Sequence, residues 1–190
     1  MDKINFNNLL FDAENGSLNG TFFQNMLYPI CGDIWNVELK NDETIKTVSI
    51  TDCEEFSFEQ KKELLLLKWK NAQIEVCVSI REQFNKTIWN IATNVVNDNW
   101  KINKIKFPII SNINCFENEE NDILMIPYQN GWIVKNPTKD LISNIREDNI
   151  PFWMGRANNG FEADYPTTLN FQFTSYNWCN GTGSYLSTED

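Results

Sequence analysis

An alternation of apolar and polar residues over positions 72–81 constrains the fold of this chain more than any other feature. The apolar side of this segment is formed by Ile74, Val76, Val78 and Ile80. Successive side chains of a β-strand point to opposite faces, so the pattern predicts a strand with one face buried against a core. Half-buried strands of this kind are typical of antiparallel sheets.

Similar segments recur along the chain and are separated by turn signals. The turn signals between them include Asn15-Gly16, Asn41-Asp42 and Gln60-Lys61, and Asn-Gly between apolar runs is a strong hairpin signal. Many short strands with frequent turns predict a β-sandwich or barrel. The strands are predicted at residues 5–11, 18–24, 35–40, 44–51, 55–58, 64–69, 72–81, 86–96, 101–108, 168–173 and 185–190.

One part of the chain departs from the strand pattern. Residues 136–145 carry apolar side chains at helical spacing and predict a short helix. Residues 147–160 predict a long loop with Pro151 and Trp153. The sequence holds no internal repeat, linker or low-complexity stretch, and 190 residues suffice for one domain with a core. We therefore predict a single all-β domain over residues 1–190.

The charge balance narrows the classes of partner. The chain carries 16 basic and 26 acidic residues, for a net charge of -10 and a pI near 4.5. This balance argues against nucleic acid, whose phosphates require clustered Lys and Arg. It argues equally against an anionic membrane surface. A neutral partner such as a sugar is compatible with it.

The absence of histidine limits the chemistry. No histidine occurs in the chain, so Ser-His-Asp and Cys-His catalysis are excluded within it, and the commonest zinc ligand is missing. The acidic residues at 117–122 are predicted to lie in a solvated loop, and Asp164 is predicted to fix a turn before Tyr165-Pro166. Neither group, nor Glu189 with Asp190 at the end of the chain, is predicted to be catalytic. We predict no catalytic residue, no cofactor and no metal ligand in this chain. Structural calcium stays open because the Asp and Asn clusters carry oxygen ligands, although no EF-hand spacing occurs.

The cysteines and the start of the chain predict where the protein works. The five cysteines are widely spaced and form no CxxC pair, which favours reduced thiols in the cytoplasm. A secreted protein with one or two disulfides stays open as the alternative. The first residues lack the features of a signal peptide, and no apolar run reaches the ~20 residues of a membrane span.

Several segments, taken in order, resemble one known domain family. Residues 5–12 with Asn15-Gly16-Ser17-Leu18 are similar to the opening hairpin of galactose-mutarotase-like supersandwich domains. Residues 100–108 resemble the "Ile-x-x-Ile-x-Phe-Pro" strand of that family. Residues 122–137 resemble its "Asp-x-Leu-x-x-Pro … Gly … Asn-Pro" segment, and residues 165–190 resemble its closing "Tyr-Pro … Gln-Phe" hairpin. Thr167 and Thr168 depart from the small residues common there.

The resemblance implies a fold and a setting. In bacterial glycoside hydrolases a domain of this type forms a large two-sheet antiparallel β-sandwich with at most one or two short helices. It precedes a TIM-barrel catalytic domain that carries the paired carboxylates. The resemblance therefore implies that this chain is the N-terminal, non-catalytic module of a longer glycoside hydrolase, with the C-terminal barrel of the same polypeptide as its partner.

Tryptophans beside loops are the candidates for carbohydrate contact. A flat indole covers the apolar face of a sugar ring while polar neighbours bind the hydroxyl groups. The candidate set is Trp132, Trp153, Arg156, Trp178 and Asn180. The alternative is that Trp132 and Trp178 pack in the core and that Trp153 fills the long loop. The remaining tryptophans, Trp35, Trp69, Trp89 and Trp100, are predicted to be core or sheet-face residues.

Two other functions stay open from the residues. A free-standing carbohydrate-binding module predicts affinity of the isolated chain for oligosaccharides. A sugar epimerase is disfavoured because the related mutarotases rely on histidine, which this chain lacks.

Overall fold

The fold divides into two compact units, Met1–Cys115 and Phe116–Asp190. The structure is a computed structural model and describes residues 2–23, 26–84, 86–111, 121–127, 131–137, 155–157, 160–162, 173–178 and 181–188. We describe each unit by itself. The prediction that residues 1–190 form a single domain stays a prediction.

All of the described strands pair antiparallel. The first unit contains β1 (Lys3–Phe6), β2 (Leu9–Asp12), β3 (Leu18–Phe23), β4 (Met26–Tyr28), β5 (Asn36–Lys40), β6 (Ile45–Ser49), β7 (Glu55–Lys61), β8 (Leu64–Lys70), β9 (Ile74–Gln83), β10 (Lys86–Val95) and β11 (Lys101–Lys106). The second contains β12 (Ile123–Ile126), β13 (Trp132–Lys135), β14 (Gly155–Ala157), β15 (Gly160–Glu162), β16 (Phe173–Asn177) and β17 (Gly183–Ser187). A short 3-10 turn at Ile50–Asp52 follows β6. The predicted all-β, antiparallel class is confirmed.

The strands of the first unit form three sheets. Their orders are β1-β2-β3-β4, β10-β9-β8-β7 and β11-β5-β6. Aromatic rings lie between these sheets. The ring centroid of Phe11 on β2 lies 6.1 Å from that of Trp89 on β10, and the ring of Trp35, the residue before β5, lies 5.7 Å from that of Trp69 on β8. The sheets of this unit therefore share one apolar core.

Rows of cross-strand apolar pairs build that core. Leu65 pairs with Ile80 and Leu67 pairs with Val78 across β8 and β9, and these side chains are fully buried. The apolar side predicted for residues 72–81 is thus the buried side of β9. Burial of each such side chain stabilises the fold by about 1.5–3 kcal/mol relative to exposure.

The predicted strand over residues 5–11 is wrong in one respect. The chain reverses at Asn7-Asn8, so that Phe6 of β1 pairs with Leu9 of β2 in a two-residue hairpin. Asn7 has φ of +52°, a backbone conformation that Asn adopts more readily than most residues. Two short strands with a tight turn therefore replace the one predicted strand.

The other predicted turns agree with the structure at two places and differ at a third. Asn15-Gly16 separates β2 from β3, and Gly16 has φ of +73°. Asn41 joins β5 to β6, where its side-chain oxygen accepts hydrogen bonds from the backbone N–H groups of Glu43 and Thr44. The turn predicted at Gln60-Lys61 lies two residues later, because Lys61 still pairs with Leu64.

The second unit has a four-stranded sheet, β13-β12-β16-β17, and a two-stranded hairpin, β14-β15. The hairpin falls partly within the loop predicted for residues 147–160, where Arg156 pairs with Phe161. Most of the helix predicted for residues 136–145 and of the strand predicted for 168–173 lies outside the described residues. The closing strand, predicted at 185–190, begins earlier, at Gly183.

Candidate functional site

The predicted carbohydrate-contact residues are only partly placed by the structure. Trp132 is the first residue of β13, where its backbone pairs with Ile126, and Arg156 lies in β14. The side chains of both lie outside the described part of the chain, as do Trp153 and Asn180 entirely. The described residues therefore do not bring the set together, and its sugar contacts stay a prediction.

Trp178 is the one member of the set whose side chain is described. Its side chain is 5% exposed, and its ring lies 5.9 Å from that of Tyr176. The backbone N–H of Trp178 donates to the carbonyl of Thr182 at 2.8 Å and closes the turn between β16 and β17. This burial agrees with the alternative that Trp178 is a packing residue.

The tryptophans predicted as core or sheet-face residues lie in the first unit. Trp35 and Trp69 are buried, and the Trp69 indole N–H donates to the carbonyl of Asn15 at 2.6 Å. Trp89 lies on β10 and is half-buried. Trp100 directly precedes β11 and is also half-buried.

A solvent-exposed row crosses the whole four-stranded sheet of the second unit. Met125 of β12 pairs with Ile133 on one side and with Ser175 on the other, and Ser175 pairs with Tyr185. Paired residues of an antiparallel sheet point to the same face. We call this surface, with its neighbours Phe173 and Asn177 on β16, the Tyr185 face.

The aromatic part of the Tyr185 face is a stacked pair. The rings of Phe173 and Tyr185 have centroids 5.8 Å apart with an interplanar angle of 26°. Tyr185 is 63% exposed. Phe173 packs against one side of the Tyr185 ring and restricts its orientation. The exposed part of the Tyr185 ring is apolar with a polar hydroxyl at its tip, which is the type of surface that covers a sugar ring.

Polar groups lie beside this stack. Asn177 pairs with Gly183, and a Cβ atom on Gly183 would lie 2.6 Å from the side-chain oxygen of Asn177. Glycine at position 183 therefore makes room for the Asn177 amide on the face. Ser175 adds a hydroxyl group between Met125 and Tyr185.

The opposite face of the same sheet is fixed by a buried polar contact. Asp122 is fully buried, and the Tyr176 hydroxyl donates to its Oδ2 at 2.8 Å. The Asp122 carbonyl accepts a hydrogen bond from the backbone N–H of Asn136 at 2.9 Å, which ties the start of β12 to the end of β13. A fixed sheet of this kind gives an exposed row a defined spacing.

The electrostatic environment of two other groups is also defined. Burial raises the pKa of the Cys53 thiol to about 11, helped by the nearby carboxylates of Asp52, Asp33 and Glu54. A hydrogen bond from Lys61 at 2.8 Å lowers the pKa of exposed Glu59. A thiol with a raised pKa is a poor nucleophile, and a carboxyl with a lowered pKa is a poor general acid.

The described residues form neither a metal site nor a membrane-spanning helix. No three His, Cys, Asp or Glu side chains there come together as a metal site. Within the described ranges, no helix has the length and apolar character needed to cross a membrane.

Sequence reasoning did not find the Tyr185 face. The sequence predicts only that Tyr185 lies in the closing strand, and the segment Gly183–Ser187 carries a single large side chain on each face. The face exists because β13, β12, β16 and β17 bring residues from positions 125 to 185 into one row. That row depends on strand order, which a single sequence does not specify.

The sequence and the fold were compared with protein families, curated proteins and solved structures. The chain matches no protein family, no curated protein and no solved structure.

Proposed function

We propose that this chain is a non-catalytic β-module of a glycoside hydrolase-like protein and that it contacts carbohydrate. The exposed Tyr185–Phe173 stack carries this proposal. An exposed aromatic ring flanked by hydroxyl and amide groups has the composition of a sugar-contact surface. The all-β fold and the sequence resemblance to galactose-mutarotase-like domains support the same class of protein.

The module is proposed to work without catalysis of its own. Glycoside hydrolysis uses two carboxyl groups placed across the scissile bond, one of them with a raised pKa. Glu59, whose pKa is lowered, lies on the exposed strand β7 beside Lys61 and does not fit the acid role. Purified protein is expected to release no product from a panel of aryl glycosides. Turnover that is lost on mutating one carboxyl group of this chain would overturn the proposal.

Binding of neutral glycans tests the contact surface directly. The protein is titrated against soluble β-glucan, xylan, mannan and starch by affinity electrophoresis and calorimetry. We expect binding to at least one glycan, with the affinity reduced about two- to tenfold by Tyr185→Ala, since a stacked ring contributes about 0.5–1.5 kcal/mol beyond area burial. Tyr185→Phe, which keeps the ring, is expected to retain most of the affinity.

The first unit offers a matched control for that experiment. Phe58 on β7 is also an exposed ring, at 46%, stacked on its neighbour Phe56 with centroids 6.3 Å apart. Phe58→Ala therefore removes an equivalent stacked ring elsewhere and is expected to leave glycan affinity unchanged. If both alanine variants bind as the unmodified protein does, the Tyr185 face is not the contact surface.

The proposed partner of the module is a C-terminal catalytic barrel of the same polypeptide. The alternative, a free-standing carbohydrate-binding module, shares the Tyr185 face and differs only in this partner. Sequencing the source gene beyond the codon for Asp190 separates the two. A continued frame with alternating strand and helix patterns supports the barrel, and a stop codon supports the free-standing module.

A further inference from the structure

A basic surface lies on one face of the sheet β11-β5-β6, although the chain as a whole is acidic. Lys101 pairs with Lys40, and Lys104 pairs with Glu38. Paired residues share a face, and the lysines of this face are all exposed. We call the surface formed by Lys40, Lys101, Lys104 and Lys106 the lysine face.

A β-bulge keeps the lysines of β11 on the same side. The register shifts by one residue at Asn103, so that Ile102 still pairs with Leu39 and Ile105 still pairs with Val37. Val37 and Leu39 are fully buried, and the two isoleucines share their face of the sheet while they remain 39% exposed on the edge strand. Because the bulge takes up the extra residue, the alternation of sides continues on either side of it.

The positive charge of the lysine face lowers the stability of the sheet that carries it. Like charges directly opposite each other in a sheet are destabilising, and Lys101 lies directly opposite Lys40. The carboxylate on the face, Glu38, accepts a hydrogen bond from the side-chain amide of Asn103 and lies opposite Lys104. Among the described residues, the register thus places four lysines and one carboxylate on this face, in a chain with 16 basic and 26 acidic residues.

Protection of a sheet edge does not account for this arrangement. Lysines on edge strands discourage pairing with other chains, and β11 is an edge strand of its sheet. Lys40, however, lies on β5, the central strand. The like-charged pair of Lys40 and Lys101 therefore calls for a reason other than edge protection.

We propose that the lysine face binds an acidic polysaccharide whose sugars carry carboxylate or sulfate groups. Ammonium groups supply the charge complement, and Asn36, Thr47 and Ser49, which the register places on the same face, supply hydrogen-bonding groups for hydroxyls. The described residues of this face carry no aromatic ring, and single-stranded nucleic acid binding relies on such rings for base stacking. The inference is independent of the Tyr185 face.

The probes are polygalacturonate, which carries carboxylates, and dextran sulfate, with methyl-esterified polygalacturonate and plain dextran as their uncharged counterparts. The unmodified protein is expected to bind at least one charged probe about tenfold or more tightly than its uncharged counterpart. The affinity is expected to fall between about 50 mM and about 200 mM salt, because exposed charges are screened. The combined variant Lys101→Gln, Lys104→Gln, Lys106→Gln is expected to bind about tenfold more weakly.

A matched variant distinguishes binding by the lysine face from a general effect of the protein's net charge. Lys68→Gln, Lys70→Gln, Lys86→Gln removes the same charge from exposed positions on β8 and β10, and we expect its affinity to change by no more than about twofold. Lys40→Gln, a single change on β5, repeats the test if the combined variant does not fold. Tyr185→Ala is expected to leave this binding unchanged, so failure of either proposal is visible separately.

Three results would overturn the proposal: no binding to either charged probe at low salt, equal losses in the two combined lysine variants, or tighter binding to a single-stranded oligonucleotide than to both polysaccharides.

Discussion

The two units are stabilised in different ways. The first unit has strands of up to ten residues, and its described core is made of rows of fully buried aliphatic and aromatic side chains. The described strands of the second unit have three to five residues, and a polar residue, Asp122, is fully buried among the described residues of this unit. Long alternating strands bury enough apolar area to define their own packing. Short strands depend more on individual hydrogen bonds.

The largest expected effect on stability is that of truncating a tryptophan in the apolar core of the first unit. Trp69 contacts Trp35 and Phe56, at 5.7 Å and 5.3 Å between ring centroids. Trp69→Ala is expected to lower the free energy of unfolding by about 3–5 kcal/mol, measured by urea denaturation. Phe58→Ala, at an exposed position of the same sheet, serves as the control and should have a much smaller effect. A loss below about 1 kcal/mol for Trp69→Ala would contradict an apolar core as the basis of the first unit.

The corresponding test in the second unit removes one hydroxyl group. Tyr176→Phe deletes the donor to Asp122 while it keeps the ring. We expect a loss of about 1–3 kcal/mol, because a buried carboxylate loses a hydrogen bond. A double-mutant cycle with Asp122→Asn measures the coupling between the two side chains. Strictly additive effects would show that this contact does not hold the second unit together.

A pH titration of stability tests a third feature, which belongs to the first unit. Burial, with the carboxylates of Asp52, Asp33 and Glu54, raises the pKa of Cys53 from 9.0 to about 11. Between these values the folded state keeps a proton that the unfolded chain releases, so the stability contributed by this group is present below pH 9 and is lost as pH rises through 11.

Thermal unfolding measured from pH 8 to pH 11 is expected to show this loss in the unmodified protein and a smaller loss in Cys53→Ser. Alkylation of a variant that retains only Cys53 should also be slower at pH 8 in the folded protein than in the urea-unfolded protein, since the thiolate is the reactive form. Equal alkylation rates would show that Cys53 is not shielded.

The smallest expected effect is a gain in stability on the lysine face. Lys101→Glu converts the like-charged pair with Lys40 into an opposite-charged pair, which we expect to raise the free energy of unfolding by about 0.2–1 kcal/mol at low salt. Lys106→Glu is the control, because Lys106 lies opposite the uncharged Asn36. Equal changes in the two variants would mean that the cross-strand pair is already screened.

Prediction from sequence succeeded where a single segment contained a clear pattern, either an apolar alternation or a turn dipeptide. The alternation of Ile74, Val76, Val78 and Ile80 marked β9 and its buried side, and Asn15-Gly16 marked a hairpin. The turn at Asn7-Asn8 was missed, since Asn is common throughout this chain and Asn-Asn is a weaker turn signal than Asn-Gly.

Surfaces formed by side chains from several strands could not be predicted from local sequence patterns. The net charge of -10 argues against nucleic acid and an anionic membrane surface, but it does not report that strand pairing brings Lys40 beside Lys101 from a distant part of the chain. Tyr185 and Met125 likewise share a face only through the pairing of β12 with β16 and of β16 with β17. Such surfaces depend on strand order and register, which alternation within one segment does not report.

The bulge in β11 has a consequence for chain length. Without Asn103 the strand would read Lys-Ile-Lys-Ile-Lys, a regular alternation that still matches Lys40, Leu39, Glu38, Val37 and Asn36 one to one. Deletion of a residue inside a strand ordinarily turns every following side chain to the wrong face. Here the deletion would straighten the strand and preserve both faces, so position 103 is a place where the chain tolerates a one-residue gap within a strand.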